Sequence, residues 1–249
     1  MRLNLGIDPR RSGQAEFTLL PPAVEFAASP AEAFARGPFD VLIFALKSFD
    51  TPAALEVLKP FYQSGAVSAP VLCLQNGVDN EPLITAALGA DKVLYGSVTH
   101  SVGRRGVGNI VLEKLRGVGV ADAPNGGHAE LVARLAAAFA EAYLNGKVYP
   151  KAADMKWSKM LTNLTGGAAS AILDMTVAEV YGHPRLYGME IRVMRETLAV
   201  MKAQGIGVVD VPKTPVRLLT CASRLPAFFA RPLMVKFVGG GRGGKMPSF

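Results

Sequence analysis

Apolar residues come first in short unbroken runs and later at helical spacing. Val41-Leu42-Ile43-Phe44-Ala45-Leu46 is a run of six between Asp40 and Lys47. It has a strand's length and no polar face, which predicts a strand covered on both sides, as in parallel sheets flanked by helices. Leu55, Leu58 and Phe61 then recur at helical spacing between Pro52 and Tyr62. Pro70-Val71-Leu72-Cys73-Leu74 reads as a second strand ending at Gln75-Asn76-Gly77, and a helix over Glu81 to Leu88 leads to a third strand, Val93 to Val98. This β-α-β-α-β alternation predicts a doubly wound α/β sheet.

Around this core the pattern is looser. Residues 1–26 read as extended pieces broken by turns, with Leu3 and Leu5 alternating with polar residues and Phe17-Thr18-Leu19-Leu20 running into Pro21-Pro22. Ser29-Pro30 suits the cap and first residue of a short helix to Ala35. Residues 103–121 read as an antiparallel ribbon, followed by a helix from His128 to Tyr143. From about Lys151 only helices are expected. Ile191, Met194, Leu198 and Met201 mark one face of a long helix that stops at Gly205, and 214–238 is helical with breaks at Pro226 and Pro232. The chain therefore divides into an α/β domain, 1–150, and an all-α domain, 151–249.

Composition narrows the class. Of 249 residues, 50% are hydrophobic and 19% charged, which excludes a disordered or fibrous chain. Two cysteines, Cys73 and Cys221, are too few for a disulfide framework and are expected as small core residues of a cytoplasmic protein. No window reaches the roughly 18–20 apolar residues a membrane helix needs, so no membrane association is expected. The net charge of +7 lies in the last fifth of the chain, where eight basic residues face one acid, Asp210. Such an excess raises a nucleic-acid or anionic-surface binder as an alternative. These charges are spaced singly among apolar residues, so no nucleic-acid partner is expected.

Candidate chemistry sits where strands end and where helix spacing pairs polar side chains. Ligands of open α/β sheets bind beyond the carboxyl ends of the strands. Lys47 and Asn76 stand at two such ends, and Gly77 would let a ligand approach the backbone closely. Lys159 and Asn163, at i and i+4 in Asp154-Met-Lys-Trp-Ser-Lys-Met-Leu-Thr-Asn163, share a helix face. The lysine could donate a proton to a substrate oxygen, helped by partial burial that lowers its pKa. A solvated lysine beside an amide is the plain alternative, and Trp157 is expected to be a packing anchor. Gly239, Gly241 and Gly244 fit G-x-G-x-x-G but lack the strand and helix that the dinucleotide fingerprint needs. His100, His128 and His183 have no ligand spacing, so no metal is expected.

Taken in order, VLIFALKSFDT, LCLQNGVDNE, LYGSVTHS, DMKWSKMLTN and GGKMPSF resemble ketopantoate reductase, 2-dehydropantoate 2-reductase. The resemblance implies a Rossmann-type doubly wound domain binding NADPH/NADP, joined to a helical domain like that of 6-phosphogluconate dehydrogenase. It implies an active site between them, reduction of ketopantoate to pantoate in pantothenate and coenzyme A biosynthesis, and a small 2-oxo acid partner, with a homodimer left open. Position by position, it makes Lys159 the catalytic proton donor to the ketone. It puts Lys47, Asn76 and Gly77 beside the cofactor, and Asn76, Asn163 and Ser248 at the substrate.

Three departures accompany it. The family's opening strand, G-x-G-x-x-G turn and helix are not found, and neither is the acidic segment with a glutamate beyond the serine. The asparagine usual one turn after Asn163 is replaced by Gly167, and Gly166-Gly167 is expected to weaken the helix. These features imply a truncated Rossmann sheet with an apolar edge, a fragment expected not to turn over by itself. A reductase of another 2-oxo acid and an inactive remnant are the alternatives.

Overall fold

A computed structural model describes residues 3–5, 17–19, 25–107 and 109–239. The chain forms two compact units, Met1–Ala152 and Ala153–Phe249. In the first, strands β1 (Leu3–Leu5) and β2 (Phe17–Leu19) pair antiparallel, and helix α1 (Pro30–Phe34) follows. The Ser29 hydroxyl accepts the Glu32 N–H at 3.2 Å, and Pro30 opens the helix, where its missing N–H costs no helical bond.

The centre of the unit is β3 (Leu42–Phe44), α2 (Thr51–Gln63), β4 (Val71–Cys73), α3 (Asn80–Leu88) and β5 (Val93–Val98). The three strands are parallel, with Leu42 opposite Val71 and Val71 opposite Val93. Next come β6 (Ser101–Gly106), β7 (Asn109–Lys114), β8 (Val118–Asp122), α4 (Ala129–Glu141) and β9 (Gly146–Val148). The main sheet has the order β3-β4-β5-β8-β9, and β2-β1-β7-β6 form a second one. The expected ribbon over 103–121 is thus split. β6 and β7 form its antiparallel pair, whereas β8 leaves it to pair antiparallel with β5 in the main sheet.

Alternation along β4 fills a core on each face of the sheet. Val71 and Cys73 pack with Phe44, Leu55, Leu58, Ile84 and Val93, while Leu72 packs with Leu94, Val118, Val120, Val132 and Ala136. All three β4 residues are fully buried, the pattern of a parallel strand covered on both sides. β3 is different. The run 41–46 yields a strand of only three residues at the sheet margin, and Ile43 is 52% exposed. The expectation of burial on both faces is therefore corrected: among the described residues, β3 hydrogen-bonds to β4 alone, and only Phe44 of its three residues is buried.

The second unit is built of helices: α5 (Ala152–Leu164), α6 (Gly167–Leu173), α7 (Val177–Gly182), α8 (Pro184–Ala203), α9 (Val216–Ala222) and α10 (Ala227–Met234). The periodic face of α8 buries Ile191, Met194 and Met201 as expected, together with Tyr187, whose ring meets Tyr181 edge-on at 6.0 Å. Pro226 separates α9 from α10, and Pro232 is carried in the last turn of α10. Cys73 is buried, but Cys221 is exposed, contrary to expectation. α9 buries Val216 and Thr220, one turn apart, and Cys221 follows Thr220 off that face. Among the described residues, no helix is long and apolar enough to cross a membrane.

Candidate functional site

In the first unit, the candidate residues stand beyond two adjacent parallel strands. β3 and β4 run side by side, so the turns that follow them leave the same edge of the sheet. Lys47 is exposed, and its carbonyl accepts the Asp50 N–H at 3.0 Å, closing the tight turn Ser48–Asp50 that leads into α2. Asn76 is exposed at the matching place after β4. Gly77 has φ +98°, a conformation that side chains disfavour. A Cβ there would come no closer than 3.5 Å to its neighbours, the Asn80 amide and the Ser48 hydroxyl. Glycine is needed at this position for its backbone angle, and the space above it stays open.

Four polar side chains hold these turns, and sequence reasoning passed over all of them. Gln75 Nε2 donates to the Leu46 carbonyl at 3.1 Å and to Thr51 Oγ1 at 2.8 Å. Thr51 Oγ1 donates to Asn80 Oδ1 at 3.4 Å. Asn80 Nδ2 donates to the Asn76 carbonyl at 2.8 Å and to Ser48 Oγ at 3.1 Å, and Ser48 Oγ donates to the same carbonyl at 3.3 Å. Gln75, Thr51 and Asn80 are buried, where polar groups left without hydrogen bonds are costly. The only available signal was their position beside Lys47 and Asn76. Nearby, burial first and the Glu81 carboxylate second push the Tyr95 phenol above its ordinary pKa.

In the second unit, α5 brings Lys159 and Asn163 together. Both are half-buried, and Lys159 Nζ donates to Asn163 Oδ1 at 2.9 Å. The helix is fixed by groups that the sequence did not single out. Asp154 Oδ1 accepts the Gly207 N–H at 2.8 Å and Ser158 Oγ the Val209 N–H at 2.9 Å, so the segment after α8 is tied along α5. Trp157 is half-buried on the same helix.

The paired glycines do not sit inside α5, which corrects the expectation that they weaken it. α5 ends at Leu164, Gly166 takes φ +68°, and Gly167 opens α6. A Cβ on Gly166 would meet Val177 Cγ1 at 2.9 Å, and its N–H is held at 2.6 Å by the carboxylate of buried Glu190. Ser248 and most of the glycine-rich segment 239–244 lie outside the described residues. The two candidate groups, Lys47-Asn76-Gly77 and Lys159-Asn163, therefore belong to different units. Among the described residues, no group of three or more His, Cys, Asp or Glu could hold a metal ion.

Comparison with known proteins gives a consistent picture. Residues 6–125 match ketopantoate reductase PanE/ApbA, and residues 151–234 match the ketopantoate reductase PanE/ApbA C terminal region. A curated 2-dehydropantoate 2-reductase of Halobacterium salinarum is 29% identical over 169 residues, covering 68% of this chain and 54% of that protein. The chain thus spans little more than half the length of that relative. The structure of 2-dehydropantoate 2-reductase from Geobacter metallireducens superposes with a TM-score of 0.73 at 21% identity, over 99% of this chain and 71% of that one. D-mandelate dehydrogenase in complex with NADH shares the fold with a TM-score of 0.64 at 20% identity, over 80% and 62% of the two chains.

Proposed function

The chain belongs to the ketopantoate reductase family, and on that premise we propose that its activity is the NADPH-dependent reduction of 2-dehydropantoate to pantoate. The observation that carries the proposal is the Lys159–Asn163 bond on α5, an ammonium aimed by an amide oxygen one turn away. Here Lys159 Nζ hydrogen-bonds to the ketone oxygen and passes its proton there, so that the carbonyl becomes a hydroxyl. Asn163 keeps the amine in line through Oδ1 and offers its amide N–H groups to a substrate oxygen. Ser248 is assigned to the substrate's hydroxyl and carboxylate groups.

The first unit, to about residue 150, is assigned to the cofactor and residues 151–249 to the substrate. Its residues suit a nicotinamide dinucleotide: exposed Lys47 and Asn76 beyond two parallel strands, and Gly77 with the space a Cβ would take left open. NADPH, when bound, supplies the hydride to the carbonyl carbon. Lys47 answers its negative charge, and Asn76 reaches the nicotinamide and substrate side.

A second reading is favoured by Gly167, which opens α6 four residues after Asn163 and brings no side chain to the substrate: the substrate is another 2-oxo acid. The two separate in an assay of the full-length gene product, with NADPH oxidation and product identity read across a panel of 2-oxo acids. The expected result is the highest kcat/KM with 2-dehydropantoate and formation of pantoate. A tenfold higher kcat/KM for a different 2-oxo acid would move the assignment to the second reading.

A further inference from the structure

We propose that Thr51 is a positioning residue that, with Gln75 and Asn80, couples the Lys47 turn to the Asn76-Gly77 turn, so that the residues assigned to the cofactor are set as one unit. The two turns are far apart in sequence and follow different strands, and sheet pairing ends at Phe44–Cys73. Beyond that point their relative placement depends on side chains. Thr51 Oγ1 stands between the two halves, accepting from Gln75 at 2.8 Å and donating to Asn80 at 3.4 Å. Gln75 fixes the start of the Lys47 turn through the Leu46 carbonyl, and Thr51 is the residue at which that turn enters α2. Asn80 fixes the other turn by closing back on the Asn76 carbonyl at 2.8 Å, across Gly77 and its positive φ of +98°.

The bonds run in one direction, from the Gln75 amide through the Thr51 hydroxyl to the Asn80 oxygen, an arrangement in which each bond polarises the next. Thr51 is fully buried and Asn80 is 3% exposed, so water cannot readily take over a missing partner. Removing the hydroxyl therefore leaves Gln75 and Asn80 each short of one bond, and both turns loosen together. The Ser48 hydroxyl, between Asn80 Nδ2 and the Asn76 carbonyl, is a second and more exposed tie between the same turns.

The test compares Thr51→Val, which keeps the shape and loses the hydroxyl, with Thr51→Ser, which keeps the hydroxyl. Amide hydrogen exchange is read at residues 76–80 and 47–51, and NADPH affinity is read by titration. Thr51→Val is expected to speed exchange about tenfold in both turns and to raise the NADPH Kd about tenfold, with Thr51→Ser close to the parent in each. Asn80→Leu, close in size and lacking both the oxygen that accepts from Thr51 and the two donated bonds, serves if Thr51→Val does not fold, and should give the same two-turn signature. Faster exchange confined to 47–51, or equal behaviour of the Val and Ser variants, would overturn the coupling. The affinity arm rests on the cofactor reading above. Coupled exchange in a parent chain that binds no NADPH would sink that reading while the positioning role stands.

Discussion

Gly77 shows how a single residue carries two requirements at once. Its φ of +98° costs an L-residue about 1–2 kcal/mol, and its missing side chain leaves room above the turn. Asn76, its neighbour, is exposed and has an ordinary backbone. The two requirements come apart in mutants. Gly77→Ala is expected to lower unfolding stability by about 1–2 kcal/mol in urea and to weaken NADPH binding, whereas Asn76→Ala should weaken binding and leave stability within about 0.5 kcal/mol. Unchanged stability in Gly77→Ala would mean that the turn relaxes and the strain argument fails. Lys47, Asn76 and Gly77 were legible in the sequence because they directly follow apolar runs, and Lys159 with Asn163 because they share helical spacing. Thr51, Gln75, Asn80 and Glu190 were not, because each takes its role through a partner 24 to 32 residues away.

At the scale of elements, periodicity located the strands and helices, but only pairing decided how each is covered. β4 and β3 read alike as apolar runs, yet β4 lies between two strands and is fully buried while β3 lies at the margin with Ile43 open. β9 was missed altogether. It is three residues long, and Gly146 stands where α4 presses closest. A Cβ on Gly146 would fall 2.0 Å from the Ala136 carbonyl oxygen, a backbone atom that cannot turn aside. Gly146→Ala is therefore expected to cost about 1–3 kcal/mol, read as a lower urea midpoint with an unchanged slope. A midpoint equal to the parent's would show that α4 and β9 can separate freely. The α5–α6 break has a similar cause: Gly166, at φ +68° against Val177, ends one helix before the next begins, which a count of glycines alone misreads as a weak helix.

Across the whole molecule, the change from βα alternation to helices alone near residue 150 was legible, and the chain divides into units at Ala152–Ala153. Among the described residues of the basic last fifth, the Arg217 Nε–H binds the Val208 carbonyl at 3.2 Å and its backbone N–H binds Asp210 at 2.9 Å, while Arg224 and Lys236 are exposed. Lys159 is assigned to the substrate ketone rather than to the nucleotide. The most direct measurement compares Lys159→Ala with the parent in the full-length gene product, taking kcat with 2-dehydropantoate and the Kd of NADPH together. A fall in kcat of about 10²–10⁴-fold is expected, with the Kd within about twofold. Equal losses of turnover and cofactor affinity, or a kcat near the parent's, would contradict it.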